Sequence, residues 1–112
     1  MIRPTLEEIE GMSGEGNTVP VYRELLGDTE TPVSAYLKIR ARDPYSFLFE
    51  SVEGGEKIAR YSFLGIAPFM IFRSRGRRIT VEDRVRKDTR SFDGDPIAEL
   101  RAQIRRFRSV HL

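Results

Sequence analysis

Between Tyr45 and Ile66 the chain alternates in two runs on either side of Glu53-Gly54-Gly55-Glu56. Alternation with a period of two is the mark of a pleated strand, and two glycines between such runs mark a tight turn. Tyr45, Phe47 and Phe49 fall on one face of the first strand, with Ser46, Leu48 and Glu50 on the other. Lys57 to Ile66 returns as the second strand, with Tyr61 and Phe63 on it. A lone hairpin is marginal in water. The alternation of the five aromatics fits a hydrophobic core better than a stacking platform for single-stranded nucleic acid. No G-x-x-x-x-G-K-[ST] or G-x-G-x-x-G pattern surrounds Gly54-Gly55, so the pair reads as a turn and not as a phosphate loop.

The flanking segments carry helix signals. Thr5-Leu6-Glu7-Glu8 has the form of a capping box, with a helix ending near Gly11 and a loop over Ser13 to Asn17. Val19 to Leu25 is β-prone, with Pro20 placing it at an edge. Thr31-Pro32 combines an N-cap with proline at the first helical position, and Val33, Tyr36 and Leu37 give an amphipathic helix to about Arg40. Phe69 to Phe72 and Arg78 to Glu82 read as strands about a turn at Gly76, and residues 83–93 as a loop or irregular hairpin. Asp95-Pro96 starts a last helix with Ile97, Leu100, Ile104 and Phe107 in one stripe. No glycine or proline stops it before Leu112, which gives the expectation that the helix runs to the terminus and that the natural chain continues.

At 112 residues the chain fits one domain or part of one. It has no cysteine, which excludes disulfides and thiolate metal sites, and its one histidine, His111, sits beside the terminus. A His-based zinc site and a Ser-His-Asp or Cys-His engine are thereby disfavoured. No apolar run approaches the roughly 18 residues of a membrane span, and Met1 to Pro4 leads into acidic residues without a signal-peptide core, so a cytoplasmic, membrane-free protein is expected. The net charge of +2 is unevenly spread: residues 1–72 hold 7 of the 19 Lys/Arg and 11 of the 17 Asp/Glu. Arg73, Arg75, Arg77, Arg78, Arg84, Arg86, Lys87 and Arg90 read as a solvated hairpin rim, with a docking face for a missing domain as the second reading and nucleic acid well behind.

Glu50-Ser51 closes the aromatic strand, and Glu50 shares a face with Leu48 where an apolar residue would be ordinary. A carboxylate there needs a partner, because an unpaired buried charge is costly. The partner is either a cation of the protein, Lys57 or Arg60, or the ammonium group of a ligand, with Ser51 adding a neutral hydrogen bond. Arg60-Tyr61-Ser62 on the returning strand offers a guanidinium able to clamp a carboxylate with two parallel bonds. The plainer readings are a strand-end glutamate in water and a cross-strand ion pair.

Four blocks in order carry a resemblance: Val19-Pro20-Val21-Tyr22-Arg23-Glu24-Leu25, Thr31-Pro32-Val33-Ser34-Ala35-Tyr36, Phe47-Leu48-Phe49-Glu50-Ser51-Val52-Glu53-Gly54 and Arg60-Tyr61-Ser62-Phe63-Leu64-Gly65. Together they resemble the N-terminal region of anthranilate synthase component I, with para-aminobenzoate synthase component I a close relative and the main competitor. The resemblance implies a parent enzyme, a lyase of tryptophan biosynthesis that converts chorismate to anthranilate with ammonia from a glutamine amidotransferase subunit (component II). It implies that magnesium and chorismate are held by a C-terminal region of the subunit, with no cofactor here. It implies that the N-terminal part is regulatory and contributes to a pocket for the feedback inhibitor tryptophan. The family's leucine-leucine-glutamate-serine block corresponds to Leu48, Phe49, Glu50 and Ser51, with Phe49 replacing the second leucine. A family lysine after that block has no secure equivalent, so Lys57 and Arg60 both stand as candidates; Tyr61 and Ser62 complete the expected inhibitor set. The family's proline-tyrosine wall is absent.

The expected fold is α+β, an antiparallel sheet with helices on one side, and residues 1–112 are expected to be a regulatory N-terminal domain of a larger chorismate-utilising fold. No catalytic residue is assigned, the segment alone is expected to be inactive, and as an isolated piece it is expected to self-associate. A free-standing module binding an amino acid or nucleic acid, and a structural subunit docking a partner, are the rival readings.

Overall fold

The computed structural model describes residues 1–50 and 61–112. It is α+β, with three short helices and three antiparallel sheets among the described residues. The residues form two compact units, Met1–Leu26 with Phe72–Val81 and Thr89–Leu112, and Gly27–Ile71 with Glu82–Asp88.

In the first unit β1 (Ile2–Arg3) pairs with β2 (Tyr22–Arg23), so the β-prone Val19 to Leu25 stretch supplies only two ladder residues. Helix α1 (Leu6–Gly11) starts on the capping box read from the sequence: Glu8 N–H donates to the Thr5 hydroxyl at 3.3 Å and Thr5 N–H to the Glu8 carboxylate at 2.6 Å. Helix α3 (Pro96–Arg105) starts at Asp95, whose carboxylate accepts from Ile97 and Ala98 N–H.

The end of α3 differs from the expectation. The helix stops at Arg105 instead of running to Leu112. Asn17 is the reason: its side-chain amide donates to the Arg106 carbonyl at 2.6 Å, and its side-chain oxygen accepts from Arg108 N–H at 2.7 Å. Asn17 and Thr18 N–H both donate to the Arg108 carbonyl, and Val110 N–H donates to Thr18. A loop residue eighty-nine positions away thus does the work of a C-terminal stop. Gly16 is needed at this junction, because a Cβ there would collide with the Arg108 carbonyl.

Strands β5 (Met70–Arg75), β6 (Arg78–Asp83) and β7 (Asp88–Asp93) form a sheet in that order. The two-residue turn between β5 and β6 has Gly76 at a φ of +59°, which suits a hairpin turn whose first central residue must be left-handed. Ile79 and Val81 on β6 are buried, and with Val110 they make up the apolar core among the described residues. Residues 83–93, expected as a loop or irregular hairpin, instead hold the regular strand β7. The β6–β7 turn is organised by the Asp83 carboxylate, which accepts from Val85 and Arg86 N–H at 3.0 Å, and by Lys87 at a φ of +56°.

In the second unit α2 (Pro32–Arg40) begins at Thr31, with Pro32 at the first position as read. Ser34 completes a second capping box with Thr31 and also donates to Glu30, which pairs with Lys38. This helix packs on β3 (Ser46–Glu50) and β4 (Ser62–Ile66).

Candidate functional site

The β3–β4 ribbon carries the sequence candidates. Its register sets Ser46 opposite Ile66, Phe47 opposite Gly65, Leu48 opposite Leu64, Phe49 opposite Phe63 and Glu50 opposite Ser62. Directly opposed residues share a face, and their Cβ atoms lie about 5 Å apart. Glu50 and Ser62 are therefore neighbours at one end of the ribbon, in the row with Leu48 and Leu64. Those two leucines are half-buried, whereas Glu50 is exposed. Tyr61 belongs to the opposite row and is 64% exposed. Ser51, Lys57 and Arg60 lie outside the described residues, as does the Gly54-Gly55 turn.

The opposite row corrects one expectation. Tyr45, Phe47, Phe49, Tyr61 and Phe63 were expected as core, yet they are 40 to 65% exposed. Among the described residues of this unit Arg84 reaches the Tyr45 ring, while Phe49, Tyr61 and Phe63 are each more than 60% exposed. Phe47 and Phe49 pack on each other with ring centroids 4.7 Å apart. The stripe on α3 is likewise open, with Ile97 and Ile104 each more than half exposed.

A groove of about 330 Å³ opens at the other end of the ribbon, lined by Tyr45, Ser46, Phe47, Gly65, Ile66 and Pro68. The Phe47 ring there occupies the space that a side chain on Gly65 would need. Four residues of strand, about 13 Å, separate this end from the Glu50–Ser62 pair. The groove lining is predominantly apolar, without a carboxylate or ammonium among its residues.

A buried ion pair holds the groove end together, and it includes a residue the sequence reading placed on the solvated rim. Arg84 Nη2 lies 2.9 Å from Asp43 Oδ2, and the Asp43 side chain is only 9% exposed. Arg84 Nη1 also donates to the Pro68 carbonyl at 3.1 Å, Arg84 N–H donates to the Phe69 carbonyl, and its guanidinium sits 5.3 Å from the Tyr45 ring centre. Asp43 Oδ1 accepts from Tyr45 N–H at 2.8 Å. That backbone bond, reinforced by Arg84, lowers the Asp43 pKa against the opposing effect of burial. Arg84 is thus a staple across the open end of the ribbon. The sequence signal for it was Asp43 directly before Pro44, an acidic residue at a chain break, but its partner lies forty-one positions away.

Among the described residues no three His, Asp or Glu side chains gather as a metal site would require, and no helix is long and apolar enough to cross a membrane.

No family profile and no solved structure matches the chain. Curated proteins do. Anthranilate synthase component 1 of Synechocystis is 43% identical over all 112 residues. The protein of the same name in Acetivibrio thermocellus is 35% identical over the whole chain, and that of Aquifex aeolicus 38% over 96% of it. The chain is similar throughout its length to the N-terminal region of anthranilate synthase component 1. It spans about 22% of the length of those relatives. All four resemblance blocks fall within the matched stretch of Synechocystis anthranilate synthase component 1, Glu50 and Ser62 included.

Proposed function

We propose that this chain acts as the regulatory N-terminal segment of anthranilate synthase component I and helps to form a tryptophan-binding pocket. The observation that carries the site is the register: a carboxylate, Glu50, stands directly across from a hydroxyl, Ser62, at the ribbon end where the chain enters Ser51. An amino-acid zwitterion needs an acceptor for its ammonium and a donor for its carboxylate. Glu50 takes the first role, with Ser51 and Ser62 adding neutral hydrogen bonds. Lys57 or Arg60 takes the second, and a guanidinium does so with two parallel bonds. Tyr61, in the opposite row, takes no part in this arrangement. An indole needs apolar walls. The groove of Tyr45, Phe47 and Pro68 is too distant to serve a ligand held at Glu50, so those walls come from elsewhere in the parent protein.

In this reading the parent converts chorismate to anthranilate with ammonia from a glutamine amidotransferase subunit, and chorismate and magnesium are held outside this segment. Tryptophan inhibits by binding one of two states of the subunit more tightly. The reading is tested by anthranilate formation in the complete subunit at increasing tryptophan. Glu50→Ala should leave the uninhibited rate within about twofold and raise the half-inhibiting tryptophan concentration at least tenfold. An unchanged inhibition curve refutes the role of Glu50.

A further inference from the structure

Glu50 and Ser62 face each other across a connection of eleven residues, 51–61. A two-residue turn dictates the register of its hairpin, whereas a connection this long leaves the register to be fixed elsewhere. The turn signal in the sequence even favours a different pairing. Gly54-Gly55, continued back along both strands, would set Glu50 opposite Ala59, three residues from its observed partner. That offset is odd, so it would set Leu48 beside Tyr61 and mix the leucine row with the aromatic one. The two rows resist such a slip, but a slip by two residues preserves both of them. Something else must select among the even registers.

The selection comes from the far end of the ribbon, where Ser46 stands opposite Ile66. Arg84 is bonded there to both strands' extensions. Its Nη2 lies 2.9 Å from Asp43, three residues before Ser46. Its Nη1 donates to the Pro68 carbonyl at 3.1 Å, and its backbone N–H to the Phe69 carbonyl at 2.9 Å, two and three residues after Ile66. A slip by one residue carries one strand about 3.3 Å past the other, and a slip by two about 6.6 Å. Bonds of this length to both extensions do not survive either displacement. The Asp43 side chain is 9% exposed, so a slip would also strand a buried carboxylate without its cation. We propose that Arg84 is a positioning residue for the Glu50–Ser62 pair, holding the ribbon's register from the end opposite that pair, across about 13 Å of strand. Its bearing on tryptophan rests on the reading above; its bearing on the register does not.

Cross-strand disulfides read the register in the complete subunit. Directly opposed Cβ atoms lie about 5 Å apart, close to disulfide reach, while diagonal neighbours at about 7–8 Å do not close. Glu50→Cys/Ser62→Cys reports the observed register, and Leu48→Cys/Ser62→Cys and Glu50→Cys/Leu64→Cys report slips by two in either direction. Each pair is incubated with oxidised glutathione, and the linked peptides are followed by mass spectrometry. Arg84→Met should slow the 50–62 link at least tenfold and accelerate one of the diagonal links, whereas Arg78→Met, whose exposed partner is Asp93, should change neither. In the cysteine-free background Arg84→Met should raise the half-inhibiting tryptophan concentration at least tenfold and keep the uninhibited rate within about threefold. Should Arg84→Met fail to fold, Asp43→Asn, which keeps an acceptor for Tyr45 N–H, takes its place. An unchanged 50–62 link overturns the inference, as does failure of that pair to link in the parent. Loss of the uninhibited rate together with the link in both variants makes the ion pair a general support of the fold and overturns it as well. A lost link with an unaltered tryptophan response upholds the role of Arg84 and refutes the regulatory reading.

Discussion

Gly65→Ala should destabilise the protein, and the sign of its effect should reverse when Phe47 is removed. Gly65 has no left-handed φ, so alanine is acceptable to its backbone; the obstacle is the Phe47 ring lying over it. Phe47 is 44% exposed and can swing outward, so the damage is limited to the packing it gives up. An aromatic side chain of roughly 200 Å² that is a little over half buried covers about 110 Å², or about 2.8 kcal/mol at 25 cal/mol per Å². That is the ceiling. Replacing a strand glycine by alanine returns roughly 0.5 kcal/mol through the unfolded state. Gly65→Ala alone should therefore cost about 1–2 kcal/mol, near the low end of overpacking substitutions. In a Phe47→Ala background it should cost nothing and gain about 0.5 kcal/mol. Urea unfolding of the four proteins in this cycle gives the coupling directly. Equal losses in both backgrounds, within about 0.5 kcal/mol, would refute the reasoning and place the collision elsewhere. The outcome matters for the site, because the ring over Gly65 helps to fix the register, and a slip by one residue would turn Glu50 to the aromatic face.

Asn17→Ala removes two side-chain bonds from the end of α3 and should cost about 1–2 kcal/mol, with amide exchange of residues 104–108 accelerating more than that of α1. The Asp43 pKa is lowered in the folded protein, so its contribution is fully present above the ordinary aspartate value and is lost as pH falls through the lower folded value. Urea midpoints measured from pH 6 down to pH 2 should fall more steeply in the wild type than in Asp43→Asn; parallel acid limbs would contradict the staple.

Local signals were legible in the sequence where the physics is local. The caps at Thr5, Thr31 and Asp95, the proline starts at Pro32 and Pro96, and the turn at Gly76 are all decided by residues within four positions of one another. What was not legible depends on partners far along the chain. The end of α3 is set by Asn17, and the buried role of Arg84 by Asp43. Strand β7 was obscured because Thr89, Arg90 and Ser91 are polar on both faces, leaving Phe92 as its one aromatic. The aromatic ribbon was read with the right register faces but the wrong surroundings: alternation says which residues share a face and says nothing about what covers it. The Glu50–Ser62 adjacency was not legible: counting back from a turn at Glu53-Gly54-Gly55-Glu56 sets Glu50 opposite Ala59, whereas the ladder sets it opposite Ser62.

The central claim is that Glu50 receives an ammonium group, and a ligand lacking that group tests it most directly. Calorimetric titration of the complete subunit, wild type and Glu50→Gln, is carried out with tryptophan and with indole-3-propionate, which keeps the ring and carboxylate but has no amine. The account predicts that Glu50→Gln weakens tryptophan binding at least tenfold and leaves the binding of indole-3-propionate unchanged. Equal weakening of both ligands, or of neither, would contradict it.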